Sequence, residues 1–146
     1  MEIVRAGMDD CEAVSALFDA YRVFYGRDPD LESSRAFIRA RLERGDSVIF
    51  LARDADGALG FTQLYPCFSS VSAAPIWILN DLYTDPEARK HGVGTALLRA
   101  ARDFGRETGA LRLELATAHT NHTAQALYEA EGYVLDTVFR RYSLPL

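Results

Sequence analysis

Apolar positions recur at two distinct spacings along the chain. Between residues 10 and 25 and again between residues 29 and 44, apolar residues return every three or four positions, which predicts two amphipathic helices. Phe37, Ile38 and Leu42 are predicted to face inward in the second helix. The first helix is predicted to be capped by Asp9 or Asp10 and to end near Gly26. The second is predicted to have Asp28 as its N-cap and Pro29 as its first residue, and to end in Arg44 and Gly45.

Short β-compatible stretches alternate with these helices. The Asp-Gly pair at residues 56 and 57 predicts a hairpin turn, and Pro66 is expected to stop the second hairpin strand. Residues 66–75 show no clear period and are predicted to form a loop or an irregular strand end. The predicted strands cover residues 2–6, 47–53, 59–65, 76–84, 111–117 and 133–144.

Residues 76–117 have the pattern of a strand, a helix and a second strand. The helix is predicted from Val93 to Arg106 and a further helix from Thr120 to Glu131. A βαβ unit places its two strands parallel, and ligands bind at the carboxyl ends of such strands. The predicted fold is therefore α/β, a mixed central sheet flanked by helices, in the order β-α-α-β-β-β-α-β-α-β.

Length and composition indicate a globular chain. The 146 residues predict a single domain over residues 1–146, and 49% hydrophobic with 25% charged residues is ordinary for such a domain. No apolar run reaches the ~20 residues of a membrane span, and the N-terminus lacks a signal-peptide pattern. We therefore expect a cytoplasmic protein with no membrane partner.

Charge and cysteine content narrow the classes of partner. The net charge of −5 argues against nucleic acid as a ligand and favours a cationic one. Cys11 and Cys67 are isolated from each other and from any histidine cluster. The sequence therefore predicts structural thiols and no metal site.

A basic, glycine-containing turn lies between the strand at 76–84 and the helix from Val93. Its backbone N–H groups and the positive end of the helix would surround one point, which favours a phosphorylated ligand. Gly92 and Gly94 let the backbone approach an anion and adopt positive φ at little cost. The residues predicted to line this anion site are Arg89, Lys90, His91, Gly92, Val93, Gly94 and Thr95.

Two well-known phosphate turns do not match. The dinucleotide fingerprint requires a third small residue where this chain has Leu97, and no Gly-Lys-Ser/Thr tripeptide exists for a P-loop. The pattern Arg/Gln-x-x-Gly-x-Gly/Ala does match, at Arg89, Gly92 and Gly94. With Asn121 seven residues before Tyr128, and the element order around both motifs, the chain resembles the GNAT superfamily of acyl-CoA-dependent N-acyltransferases.

The resemblance covers nearly all 146 residues and implies a cofactor and its site. The expected cofactor is acetyl-CoA, with its pyrophosphate on the N–H groups of residues 89–95. The strand end at Leu82, Tyr83 and Thr84 is expected to pair its backbone with the pantetheine arm and to supply the oxyanion donor. Asn121 is expected to bind the pantetheine amides, with a helix cap as the alternative.

Acyl transfer also needs an acid and a base. The resemblance implies Tyr128 as the acid that protonates the leaving thiolate, against the alternative of a packing tyrosine. Asp81 is the candidate base; action through water, or binding of a cationic substrate, are the alternatives. His119 is a second candidate of suitable pKa.

The acceptor is expected to be a small primary amine. Tyr21, Tyr25, Asn80 and Asp81 are the predicted acceptor-binding residues, since aromatic faces and carboxylates together suit an organic cation. Residues 66–75 are expected to line the same pocket. Two alternatives remain: a protein lysine or N-terminus as acceptor, and an acyl-CoA-binding module without turnover. A homodimer through the apolar stretch at residues 139–144 is also expected.

Overall fold

The computed structural model describes all 146 residues. They fold into two compact units, Met1–Ala116 and Thr117–Leu146. The first unit contains the sheet and three helices, and the second contains one helix. The elements are β1 (Glu2–Arg5), α1 (Cys11–Phe24), α2 (Leu31–Arg44), β2 (Val48–Asp54), β3 (Gly57–Ser69), β4 (Ala74–Thr84), α3 (Val93–Glu107), β5 (Leu113–Glu114) and α4 (His122–Ala130).

A five-stranded mixed sheet forms the centre of the first unit, in the order β1-β2-β3-β4-β5. The first three pairs are antiparallel and β4 pairs with β5 in parallel. The predicted α/β class and the parallel pairing across α3 are therefore confirmed. No helix has the length and apolarity that a membrane span requires.

The two faces of the sheet are covered by different helices. On one face α1 and α2 pack on the sheet through Val14, Phe18, Ile38, Phe61 and Tyr83, among others. On the other face α3 packs through Val93 and Leu97 against Ala52, with Leu82 beside them. Neighbouring positions at the end of β4 thus point into two separate cores.

The helix boundaries follow local chemistry, with one correction. The predicted cap Asp28 is wrong: α2 begins at Leu31, and the Asp30 side chain accepts a hydrogen bond from Ser33 N at 3.1 Å. Asp30 lies where its oxygen reaches the free N–H groups of the first turn. At the other end Gly45 adopts φ 64°, the left-handed conformation that ends a helix, as predicted.

The hairpin of β3 and β4 is longer than predicted. Pro66 does not stop β3, which continues to Ser69, and Pro66 pairs with Trp77 across the hairpin. The pairing of β2 with β3 begins at Val48 and Leu64, so β3 has a neighbour on one side only at Pro66. Proline is tolerated at such an edge because its missing N–H need not break a ladder bond. Residues 66–75 are therefore mainly hairpin and not loop.

The C-terminal end departs from the prediction most. The strand predicted at residues 133–144 is absent: residues 133–146 contain no helix or strand, and Phe139 is 80% exposed. The predicted strand at 111–117 shortens to Leu113–Glu114. A strand needs a partner with a free backbone edge, and two residues of β5 offer little edge for another strand.

Candidate functional site

The turn between β4 and α3 has the geometry of an anion site. Lys90 and Gly92 adopt left-handed conformations, with φ 65° and 80°. Gly92 is the N-cap of α3, no side chain caps this helix, and its first turn contains no acidic residue. Because the first N–H groups of a helix have no partner within it, they remain available to an anion here. Gly94 lies inside the first turn of α3 and does not adopt positive φ.

Of the three basic side chains of the turn, only Arg89 has contacts with the protein that define its position. The Arg89 guanidinium lies 5.9 Å from the Phe24 ring centroid and 5.8 Å from that of Tyr83, and its Nε donates to Thr84 O at 3.2 Å. Arg89 therefore contacts both the end of β4 and the end of α1. Lys90 and His91 are exposed to solvent beside the turn.

The end of β4 has a free backbone edge on one side. β4 pairs with β3 as far as Thr84, opposite Gly60, but with β5 only at Trp77 and Ile78. Residues 79–84, which include the predicted Leu82, Tyr83 and Thr84, therefore have no strand partner on the β5 side. The side chains of Leu82 and Tyr83 pack into the two cores, so it is the backbone that this edge offers to a ligand.

Asp81 is a buried carboxyl on this strand. It is 3% exposed, and Gln63 Nε2 donates to its Oδ2 at 2.6 Å. Burial raises the pKa of the Asp81 carboxyl to about 6, although hydrogen bonds from Gln63 and Tyr21 act to lower it. A carboxyl with this pKa accepts a proton near neutral pH more readily than an exposed aspartate does.

Aromatic rings cover Asp81 on the α1 side. The Tyr21 ring lies 4.9 Å from Tyr25 and 6.0 Å from Phe61, and its hydroxyl donates to Asn80 O at 3.4 Å. Tyr25 is about half exposed at the end of α1, and Asn80 is exposed. The structure thus brings together all four predicted acceptor-binding residues.

Gln63 is the site residue that sequence reasoning missed. The sequence contains a signal for it, because Gln63 is a polar residue that alternates with Phe61 and Tyr65 on the same face of the strand. A polar residue at such a position needs a buried partner. The partner is Asp81, directly opposite on β4.

Two open cavities flank the turn. One, of about 470 Å³, is lined by Asp54, Asp85, Glu87, His91 and Val93, among others. The second, of about 520 Å³, lies along α1 and is lined by Asp19, Phe24, Tyr83, Pro86 and Arg89, among others. The second cavity is lined by both aromatic and charged side chains.

The remaining predicted residues lie in the second unit. Asn121 is the N-cap of α4, and its side chain accepts from Ala124 N at 3.2 Å, as the helix-cap alternative predicts. Its side-chain amide N–H₂ is not used by that bond. Tyr128 is half buried, with its ring 6.0 Å from that of Tyr133. His119 lies exposed before α4.

Known proteins resemble this chain over almost its whole length. The model of the acetyltransferase (GNAT) family matches residues 13–133. An uncharacterised N-acetyltransferase of Bacillus subtilis, YhfO, is 48% identical over 144 residues, which cover 99% of this chain and 97% of the relative. A crystal structure of a probable acetyltransferase superposes with a TM-score of 0.94 at 44% identity, covering 100% of this chain and 98% of the other.

A more distant relative carries a name that includes a substrate. The aminoglycoside N(6')-acetyltransferase type 1 of Klebsiella aerogenes is 28% identical over 112 residues, covering 75% of this chain and 74% of the relative. The family match, the Bacillus relative and the shared fold agree with one another. This chain belongs to the GNAT family of acetyltransferases.

Proposed function

We propose that this acetyltransferase moves an acetyl group from acetyl-CoA directly to a primary amine of a small cationic molecule. The observation that carries the proposal is the position of Asp81, a buried carboxyl with a pKa of about 6 on a strand with a free backbone edge, three residues before that strand ends. The turn that follows the strand ends at the N-terminus of α3, which no side chain caps. A proton acceptor, a backbone edge and an anion site thus follow one another along one chain segment.

The residues of this segment fit a coenzyme A thioester. The N–H groups from Arg89 to Thr95 would hold the pyrophosphate, with Lys90 and His91 adding contacts from the solvent side. The free edge at residues 79–84 would pair with the amides of the pantetheine arm, as an added strand does. The role of Asn121, which lies in the second unit, in binding pantetheine amides follows from the family motif alone. Acetyl-CoA supplies the acetyl group as a thioester.

Two side chains would move the protons. Most amines are protonated at neutral pH, with a pKa near ~10.4, so the acceptor must lose a proton before its nitrogen attacks. We assign that proton to the Asp81 carboxylate. Tyr128 would donate its phenol proton to the leaving thiolate of coenzyme A. The nitrogen loses its second proton when the amide forms, and that proton restores the phenol. Tyr128 lies in α4 of the second unit, and its role follows from the family motif.

The acceptor would enter along Tyr21 and Tyr25. Their rings offer cation–π contact, and the Asn80 side chain is exposed beside them. The net charge of −5 favours a cationic acceptor. The relative from Klebsiella aerogenes, named for an aminoglycoside, supports an amine-bearing small molecule as the acceptor class.

Three further features belong to this proposal. The family model crosses both compact units, which supports one functional domain over residues 1–146. The exposed free thiol of Cys67 suits the reducing cytoplasm. The exposed apolar side chains of Phe139, Tyr142 and Leu144 suit a homodimer contact, which light scattering of the purified chain would detect.

Release of free thiol from acetyl-CoA tests the proposed reaction. The panel contains a diamine, spermidine, lysine, kanamycin and a lysine-rich peptide. We expect release with one class of small amine, and a loss of about 100-fold in Tyr128→Phe, in line with the usual contribution of a general acid. Tyr142→Phe is the matched control, since Tyr142 is 84% exposed in the C-terminal tail. Release with the peptide alone would contradict the small-molecule assignment.

A further inference from the structure

We propose that Gln63 is a positioning residue that holds the Asp81 carboxylate in place and keeps it ionised at neutral pH. This inference rests on the proposed function, in which Asp81 accepts the proton of the amine. Gln63 itself is fully buried and touches no solvent, so it acts through Asp81 and not on a ligand.

A β-bulge makes this contact possible. Leu79 pairs with Leu64, but Asp81 pairs with Gln63, so β4 has one extra residue, Asn80, at this point. Side chains two apart in a regular strand share a face, which would put Asp81 on the same face as Leu79. The extra residue changes the phase and turns Asp81 toward Gln63. The bulge therefore serves the pairing of these two polar side chains.

The orientation of the Gln63 amide is fixed from its other end. Ser47 Oγ donates to Gln63 Oε1 at 2.8 Å, while Gln63 Nε2 donates to Asp81 Oδ2 at 2.6 Å. If the amide were reversed, its carbonyl oxygen would face the carboxylate oxygen and both would be acceptors. The hydroxyl of Ser47 thus selects the amide orientation that presents a donor to Asp81.

The backbone of Asp81 is held separately. Thr62 is also fully buried, and its Oγ1 donates to the Asp81 carbonyl oxygen at 2.7 Å. This bond reaches the main chain and leaves the carboxyl untouched. Thr62 and Gln63 are adjacent on β3, equally buried, and bonded to different parts of the same residue, which makes them a matched pair for substitution.

The side chains that act on the Asp81 carboxyl are neutral. From α1 the Tyr21 hydroxyl lowers the pKa of Asp81, and from β3 Gln63 does so more strongly. Tyr65 also faces it from β3; burial raises the pKa of Tyr65 to about 12, so this phenol stays neutral. The charges of Arg41 on α2 and of Asp46 before β2 act on Tyr65. The ionised form of Asp81 therefore depends on neutral donors, of which Gln63 is the strongest.

Substitution of Gln63 by methionine tests the proposal, because methionine keeps the length of the side chain and removes the donor. A hydrogen bond to a charged group stabilises the charged form, so we expect the pKa of Asp81 to rise by about one unit or more when the donor is lost. The direct readout is a carboxyl carbon NMR titration of the full-length protein. The pKa should rise in Gln63→Met and should not move in Thr62→Val. An unchanged pKa in Gln63→Met overturns the proposal.

The rate of acetyl transfer supplies a second readout. With acetyl-CoA and the amine that gives the greatest thiol release, the acidic limb of the kcat/KM profile should move upward in Gln63→Met by the same amount as the NMR pKa. Activity should then recover toward the parent value at high pH, which a purely structural defect does not allow. If the NMR pKa rises in Gln63→Met but the acidic limb of the kcat/KM profile does not move, the proposal is also overturned. The carboxyl that Gln63 contacts would then not be the group that accepts the proton.

Failure of the proposed function has a different signature. If no variant releases thiol with any amine and the NMR pKa still rises in Gln63→Met, the reaction assignment is wrong and the contact between Gln63 and Asp81 stands. If Gln63→Met does not fold, Ser47→Ala carries the same test with a smaller upward shift. That variant removes only the bond that orients the amide.

Discussion

Replacing Asp81 by asparagine should make the protein more stable at neutral pH while it removes activity. Burial raises the pKa of Asp81 from 3.8 to about 6, so between these values the folded protein binds more protons than the unfolded chain. The contribution of Asp81 to the free energy of unfolding is therefore fully present below about pH 4 and is lost as the pH rises through about 6. At 1.36 kcal/mol per pKa unit, the full decline is about 3 kcal/mol.

The pH dependence isolates this effect from the fixed cost of the substitution. Between pH 4.5 and 7.5 the free energy of unfolding of the parent should fall by about 2 kcal/mol relative to Asp81→Asn. For a chain of this size that corresponds to about 6 °C in Tm. Urea unfolding of both proteins at a series of pH values measures it. A stabilising substitution that abolishes activity is typical of a functional group held at a cost to the fold.

Asp136→Asn is the matched control. Asp136 is exposed, and the N–H groups of Val138 and Phe139 lower the pKa of its carboxyl, so its substitution should produce the opposite trend with pH. If the difference between the parent and Asp81→Asn is the same at pH 4.5 and 7.5, Asp81 does not titrate with a raised pKa. Asp81 would then not be a proton acceptor near neutral pH.

Two glycines, one within the anion turn and one opposite the end of β4, give further predictions. Gly60→Ala should destabilise the fold by about 2 kcal/mol and raise the KM for acetyl-CoA, because the added Cβ would lie 2.6 Å from Tyr83 O. Gly7→Ala is its control and should have neither effect, because a Cβ there would meet open space. Gly92→Ala should lower the free energy of unfolding by about 1 kcal/mol, because alanine is strained at a φ of +80°, and it should also weaken acetyl-CoA binding. Its control, Gly109→Ala at φ +71°, should lower the free energy of unfolding without changing acetyl-CoA binding. Thermal unfolding and acetyl-CoA kinetics check both pairs, and equal KM values within a pair would contradict the reasoning.

Local patterns in the sequence were sufficient for most of the first unit. The helical periods of α1 and α3 and the glycines that end the helices depend on neighbouring residues, so their chemistry is visible in the sequence. The turn at residues 89–95 was found in the same way. The position of Asp81 on β4, shortly before that strand ends, also follows from the strand pattern.

Other features depend on residues far apart in the chain. The bulge at Asn80 is a mismatch in length between β3 and β4, and neither strand shows it alone. Pro66 is tolerated because β2 has no pairing that far along β3. The contact between Gln63 and Asp81 spans 18 positions and needs the register of the hairpin. The tail at residues 133–146 has a strand-like sequence but no paired neighbour, which only the sheet topology reveals.

Acetyl-CoA and a small primary amine are the two proposed substrates of this protein. Mass spectrometry of the amine after incubation with acetyl-CoA and the full-length protein tests this claim most directly. We predict the gain of one acetyl group on nitrogen, matched by one equivalent of free coenzyme A, and a strong loss of both products in Asp81→Asn and Tyr128→Phe. An amine that remains unmodified across the whole panel, while acetyl-CoA still raises the Tm of the protein, would contradict the claim.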